Sequence, residues 1–178
     1  MNVQIIYASV EGQTARIARF IESQLRKAGH RVDMVNAQGT TAFSLDNIDK
    51  VILAASVHER RHPKLFEALI VAQKRQLEAR DTLLMSVSLN AAFPEGLDEA
   101  QDYVTELKMR TGFTPNAELL VAGAIRSGEY DYFATQVLRH VVMRDRDYDA
   151  SAEEHEFTDW DAVSKAVATF MAEEPVTT

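Results

Sequence analysis

Apolar positions along this chain repeat with two periods, and the periods take turns. Short runs with few polar interruptions come at VQIIY (Val3–Tyr7), KVILAAS (Lys50–Ser56), TLLMSVSL (Thr82–Leu89) and ELLVAGA (Glu118–Ala124), each suited to a buried strand. RVDMVN (Arg31–Asn36) alternates, as an edge strand with one polar face does. Other segments carry apolar residues at spacings of three and four, the period of a helix with one inner face. One spans Thr14 to Ala28, with Ile17, Phe20, Ile21 and Leu25 aligned and Gly29 placed to stop it. A second runs from Pro63 to Leu77, with Pro63 in its first turn and Leu65, Phe66, Leu69 and Ile70 inward. A third runs from Leu97 to Thr111, with Ala100, Tyr103, Val104 and Leu107 inward and Gly112 ending it. The last starts near Thr158 or Asp159 and ends near Met171, and Thr158 and Asp161 are spaced as a capping box.

Strands and helices that alternate in this way predict an α/β fold, a parallel sheet covered on both faces. With five strands, the doubly wound order 2-1-3-4-5 is the most economical. One domain is expected over residues 1–172, with 173–178 a loose tail. In such sheets ligands lie beyond the carboxyl ends of the strands. The residues after Tyr7, Ala55, Ser88 and Ala124 are therefore the ones to search.

One segment departs from the alternation. About thirty residues separate Ala124 from the last helix, longer than an ordinary connection. This insertion, residues 125–157, contains YDYFATQVLRHVVMRDRDYD. Phe133, Val137, Leu138, Val141 and Val142 have helical spacing there, with Arg139, Arg144 and Arg146 close by. Two readings stand side by side: an extra packed helix with a solvated basic end, or an amphipathic patch that meets a membrane surface or an apolar partner.

Composition narrows the chemistry. The 178 residues carry a formal net charge of −8, which argues against nucleic acid as a partner. There is no cysteine, so disulfides, thiolate metal sites, iron–sulfur clusters and cysteine nucleophiles are excluded. The opening MNVQIIYAS lacks a basic leader with a long apolar run, and no apolar run approaches the ~20 residues of a membrane span. A cytoplasmic domain is the expectation, with peripheral contact at the inner face of the cell membrane through residues 125–157 left open.

HERRH, His58 to His62, has the spacing of a zinc protease helix. Its flanks oppose a helix: a strand precedes it, and Pro63 pushes His62 away from helical geometry. The downstream glycine and histidine of the extended motif are replaced by Leu65 and Ala68, and His30, His140 and His155 form no cluster with it. No metal is expected. The connection after the first strand, ASVEGQT (Ala8–Thr14), is more informative. Ser9 and Thr14 offer hydroxyls, Gly12 permits a tight turn, and a helix N-terminus follows. Converging backbone N–H groups there suit a phosphate monoester without help from lysine or arginine. In that arrangement the Glu11 N–H can still donate, with its carboxylate expected to point to water. The loop is neither a Walker loop nor a dinucleotide fingerprint. On these residues alone, a well-capped ordinary turn remains the alternative.

YASVEGQTARIA resembles the FMN phosphate loop of flavodoxins, and more closely that of the bacterial quinone-dependent protoporphyrinogen IX dehydrogenases. VILAASVH is similar to that family's third strand and flavin loop, SVSLNA to its fourth strand and loop, and VAGAIR with the long segment after it to its insertion. FTDW is similar to the start of its last helix. The resemblance implies a flavodoxin-like three-layer sandwich that binds FMN. Ser9, Val10, Glu11, Gly12, Gln13 and Thr14 would hold the phosphate. Ser56, Val57 and His58 would flank the ring on one side, and Ser88, Leu89, Asn90 and Ala91 on the other. Gly123 and Ala124 would border the substrate or quinone face. The implied activity is oxidation of protoporphyrinogen IX to protoporphyrin IX with a quinone as acceptor, a step of heme biosynthesis, with the flavin and no side chain as the main catalyst. His58, Arg60, Arg61 and Arg126 are placed to attract tetrapyrrole propionates, or else are solvated surface charge. The chain departs from the family at Glu59 and Arg60, where an aromatic residue and a glycine are usual. The competing function is an FMN-binding electron carrier with no substrate of its own.

Overall fold

The computed structural model describes residues 1–39, 42–126 and 154–174. Its centre is a five-stranded parallel sheet of order β2-β1-β3-β4-β5, as the alternation predicts. The strands are β1 (Asn2–Ala8), β2 (Arg31–Asn36), β3 (Lys50–Ser56), β4 (Asp81–Ser88) and β5 (Ala117–Ala122). Helix α1 (Gln13–Lys27) follows β1, α2 (Lys64–Glu78) follows β3, α3 (Leu97–Thr111) follows β4, and α4 (Trp160–Ala172) closes the described chain. No helix among the described residues is long and apolar enough to cross a membrane. Residues 127–153, which carry the predicted extra helix, and 175–178 of the predicted tail lie outside the described residues. The expected membrane contact falls mostly within the former.

Period-two alternation in each strand sends neighbouring side chains to opposite faces. Val3, Ile5, Ile52, Met85 and Val121 pack under α1 and α4 with Ile17, Ile21, Val163 and Phe170. Ile6, Leu53, Ala55 and Leu84 pack under α2 and α3 with Phe66, Ile70, Val104 and Leu107. β4 is buried at every position because it has a helix on each face and a strand on each edge. Between β2 and β3 no helix occurs among the described residues. Leu45 fills that part of the second face, with Phe43 and Ile48 against it.

Three expected details shift. Leu65 is 57% exposed, because α2 is phased by Phe66 and Ile70. The last strand does not run to Ala124. It stops at Ala122, Gly123 N–H bonds the Ser88 carbonyl at 3.1 Å, and β6 (Ala124–Arg126) turns off to pair antiparallel with β7 (Glu154–Glu156). The cap of α4 is Asp159, whose carboxylate accepts from Ala162 N–H at 2.9 Å. Thr158 is unavailable for that role because its hydroxyl donates to the Ala122 carbonyl at 2.6 Å.

Two buried polar clusters hold the layers in register. At the amino end of the sheet Lys50 is fully buried. Its ammonium has three donors and bonds Asp81 Oδ2, Phe170 O and Glu173 O, each at 3.0 Å. It thereby ties β3 and β4 to the open carbonyls at the end of α4. At the other end, His62 lies buried between β4 and α2. Its Nε2 is 2.9 Å from Ser86 Oγ, and Nδ1 is buried with no hydrogen-bond partner. With the proton on Nε2, only a lone pair is left unsatisfied. Glu67 lies close by and receives Arg61 at 2.7 Å and Arg110 at 2.7 Å. Burial alone would raise the Glu67 carboxyl, but hydrogen bonds and charge from Arg110 and Arg61 outweigh it and hold the group below the usual carboxylate range. For His62 burial wins: it pushes the imidazole from 6.5 down to about 4, against the attraction of Glu67.

These clusters make two predictions. Replacing Lys50 by Met removes the buried cation that Asp81 pairs with and is expected to cost about 3–5 kcal/mol in urea unfolding, with part regained by adding Asp81→Leu. His62 makes stability pH-dependent. Its contribution is full above pH 6.5, where folded and unfolded rings are both neutral, and falls as pH drops toward about 4, because only the unfolded chain takes up the proton. The loss is on the order of 3 kcal/mol over that window. Urea midpoints of His62→Gln are expected to fall less steeply than wild type across it.

Candidate functional site

Parallel strands in register bring four loops to one edge. Ala8 is opposite Ala55, Ser56 opposite Val87, and Ser88 opposite Ala122, so the chain leaves these strands side by side. The loops enclose a cleft of about 280 Å³, near the roughly 300 Å³ at which small-molecule pockets begin.

The first loop turns into α1 through Gly12, whose φ of 94° is left-handed and suits glycine. Part of its donor set is used internally. Ser9 N–H bonds Gln38 Oε1 at 3.1 Å, Val10 N–H bonds Ser56 Oγ at 3.3 Å, and Gly12 N–H bonds Ser9 Oγ at 2.9 Å. What faces a ligand is the first turn of α1. The N–H groups of Gln13, Thr14 and Ala15 precede the first intrahelical bond, from Arg16 N–H to Gly12 O at 3.1 Å. The Thr14 hydroxyl beside them is buried and has no hydrogen-bond partner. This set, with the positive end of a helix dipole behind it, has the chemistry to take a phosphate monoester. Glu11 does not point simply to water: its carboxylate is 3.9 Å from His58 Nδ1.

The second loop is a tight hairpin, and the HERRH residues form it in place of a helix. His58 N–H bonds Arg61 O at 2.9 Å and Arg61 N–H bonds His58 O at 3.1 Å. Glu59 (φ 49°) and Arg60 (φ 64°) are both left-handed, the signature of a type I′ turn. Arg60 reaches across to α3, where it pairs with Glu99 and stands 5.6 Å from the centre of the Tyr103 ring.

The third loop makes two 3₁₀ turns, Asn90–Ala92 and Pro94–Gly96. A Cβ on Gly96 would lie 2.3 Å from the Asn90 carbonyl, so only glycine lets the turns fold this tightly. Asn90 Nδ2 donates to the Tyr103 hydroxyl at 2.8 Å. Burial, then the Glu99 carboxylate it hydrogen-bonds, push the Tyr103 phenol up to about 12, so it stays protonated. The fourth side is Gly123 and Ala124, backed by Phe93, Ile125 and Phe157. Here β7 is fastened to α1: Gln13 Nε2 donates to Glu156 Oε1 at 2.7 Å and to Thr158 Oγ1 at 2.9 Å, and Trp160 Nε1 to Glu156 Oε2 at 3.1 Å.

Of the residues singled out in the sequence, Ser9, Glu11, Gln13, Thr14, Ser56, Val57, His58, Arg60, Ser88, Leu89, Asn90, Gly123 and Ala124 line the cleft. Val10 is 50% exposed, Gly12 forms the turn, and Ala91 donates its N–H to Ser88 Oγ at 3.3 Å. Arg61 faces Glu67 and is absent from the cleft wall. Arg126 ends β6, and its side chain lies outside what is described. Sequence reasoning noted Glu59 only as a departure from the family's loop, and it missed Val87, Glu99 and Tyr103 in the cleft wall. Tyr103 has the spacing of a core residue and is buried as one, and nothing in the periodicity says that its hydroxyl reaches the cleft.

A family profile described as the flavodoxin domain matches residues 4–152. Protoporphyrinogen IX dehydrogenase [quinone] of Escherichia coli K12 is 23% identical over 165 residues, 92% of this chain and 91% of that protein. The protein of the same name from Leishmania major is 23% identical over 94% of this chain and 74% of its own length. Among solved structures, oxidised flavodoxin 1 from Bacillus cereus superposes with a TM-score of 0.58 at 16% identity, covering 98% of this chain and 99% of that one. Two-electron-reduced Megasphaera elsdenii flavodoxin gives 0.51 at 19% identity, covering 66% and 84%. The chain belongs to the flavodoxin domain family, an FMN-binding family.

Proposed function

We propose that the protein is an FMN-dependent dehydrogenase that oxidises protoporphyrinogen IX to protoporphyrin IX and passes the electrons to a quinone. The observation that carries this reading is the end-to-end likeness to proteins of that name, which spans 92% of the chain, well beyond the phosphate loop.

In this reading the loop Ser9, Val10, Glu11, Gly12, Gln13 and Thr14 holds the FMN phosphate: the N–H groups of the first turn of α1 and the Thr14 hydroxyl meet it, and Ser9 to Gly12 shape the turn that presents them. Ser56, Val57 and His58 flank the ring on one side, and Ser88, Leu89, Asn90 and Ala91 on the other. Bound FMN supplies the two-electron chemistry that no side chain here provides. The protein's own contribution is to orient both partners and keep the ring between two loops. Gly123 and Ala124 leave the substrate side without bulky side chains. His58 and Arg60 stand at that side to draw propionate groups, whereas Arg61 spends its charge on Glu67 and braces the hairpin. The second reading, an FMN-binding electron carrier with no substrate of its own, is favoured by the fold match over nearly all of the Bacillus cereus flavodoxin.

FMN titration of the apo-protein tests the phosphate cradle. Thr14→Ala is expected to weaken binding about 10–100-fold, the worth of a hydrogen bond to a charged group. Gly12→Asp is expected to weaken it more, because it combines left-handed strain with a carboxylate facing the phosphate. Anaerobic oxidation of protoporphyrinogen IX by the FMN-loaded protein, with menaquinone or ubiquinone added, separates the two readings. Turnover with either quinone supports the dehydrogenase; an FMN-loaded sample inert with both leaves the carrier.

A further inference from the structure

The cleft wall carries three carboxylates, Glu11, Glu59 and Glu99, and one guanidinium, that of Arg60, among the described residues. Such a wall repels an anionic substrate unless the guanidinium is given up to it. In the structure Arg60 is already engaged with Glu99. We propose that Glu99 holds the place of a substrate carboxylate on Arg60, and that an incoming carboxylated ligand displaces it, so that the pair selects for carboxylates at the cleft mouth. The inference rests on the tetrapyrrole dehydrogenase reading and assigns the residue that governs which tetrapyrroles are admitted.

Several features make the pair suited to exchange and not to bracing. Both side chains are open to water, Arg60 at 57% and Glu99 at 42% exposure, where an ion pair is weak and quickly replaced. The guanidinium fork matches any carboxylate, so a propionate reproduces what Glu99 offers. The Tyr103 ring stands 5.6 Å from the guanidinium and supports it as its partner changes. Glu99, once released, keeps the Tyr103 hydroxyl and water.

The hairpin aims Arg60 deliberately. Glu59 and Arg60 both adopt left-handed backbone that glycine or asparagine would adopt more readily. Such conformations persist where the surroundings over-determine them. Here His62, buried and bonded to Ser86, and Arg61, itself open to solvent but paired with the buried Glu67, anchor the base of the turn. The base is fixed and the crest is labile. A neutral or esterified ligand gains nothing from Arg60 and leaves the resident pair in place, and specificity is that difference.

The test measures binding of protoporphyrin IX and of its dimethyl ester to the FMN-loaded protein by fluorescence quenching in the same detergent. FMN absorbance confirms that each variant is loaded. Glu99→Gln is expected to tighten binding of the free acid up to about fivefold, the factor corresponding to one exposed pair, with the ester unchanged. Arg60→Gln is expected to weaken the acid about tenfold and to remove the difference between acid and ester. In the double variant the gain from Glu99→Gln is expected to vanish. If both porphyrins bind and neither substitution moves the acid-to-ester ratio, the exchange is wrong and the substrate reading stands. If neither porphyrin binds with FMN in place, the substrate reading and the exchange fall together.

Discussion

Parallel pairing is the constraint on which everything else in this protein depends. A strand that must run alongside its predecessor in the same direction cannot return through a tight turn. The chain has to cross the sheet each time, and it buries both faces as it does so. The same geometry delivers the carboxyl ends of β1, β3, β4 and β5 to one edge, each level with its neighbour to within a residue. The site exists because four loops have nowhere else to emerge. It follows that the apolar strands are not only a core. Their register sets the distance between the loop that turns into α1 and the hairpin that holds Arg60.

Charge is divided between two depths. In the buried layer each ionic group has its partners close: Lys50 with Asp81 and two carbonyls at one end, and at the other Glu67, buried itself and met by Arg61 and Arg110 from the solvent side. Removing one member there leaves a charge in low dielectric, so these clusters resist change. At the rim, the Arg60–Glu99 pair faces water and yields easily. One hairpin joins both regimes, with His62 in the buried layer, Arg61 tied to the buried Glu67, and His58 and Arg60 at the surface. A loop that must keep its shape while its contacts change is well served by that arrangement.

The fastening of β7 to α1 links two parts of the chain far apart in sequence. Gln13, in the first helical turn after the phosphate loop, shares Glu156 with Arg16 and Trp160. The end of the insertion therefore rests on the same turn whose N–H groups are offered to an anion. The Phe93, Ile125 and Phe157 cluster closes the same corner with apolar contact.

Much of this was legible in the sequence, for a physical reason. Strand and helix periods are local properties, and five strands of that pattern leave few economical orders, so the order 2-1-3-4-5 and the sheet edge that carries the loops could be read directly. Gly12, Ser9 and Thr14 announced the first loop because its needs, a left-handed turn and hydroxyls before a helix, are met by residues adjacent in the chain. The amino acids alone also excluded thiol chemistry and made a helical HERRH untenable beside Pro63. They did not reveal that β5 breaks at Gly123, that Asp159 and not Thr158 caps α4, or that Leu65 faces outward. In each case a contact from a distant strand or the phase of a packed helix decided. Tyr103 and Glu99 stayed hidden for the same reason. One was spaced as core and the other as surface, and only the packing of α3 against the hairpin brought both to the cleft. Periodicity reports which face of an element is buried; what the rim of that face touches is fixed by partners that the local chain does not contain.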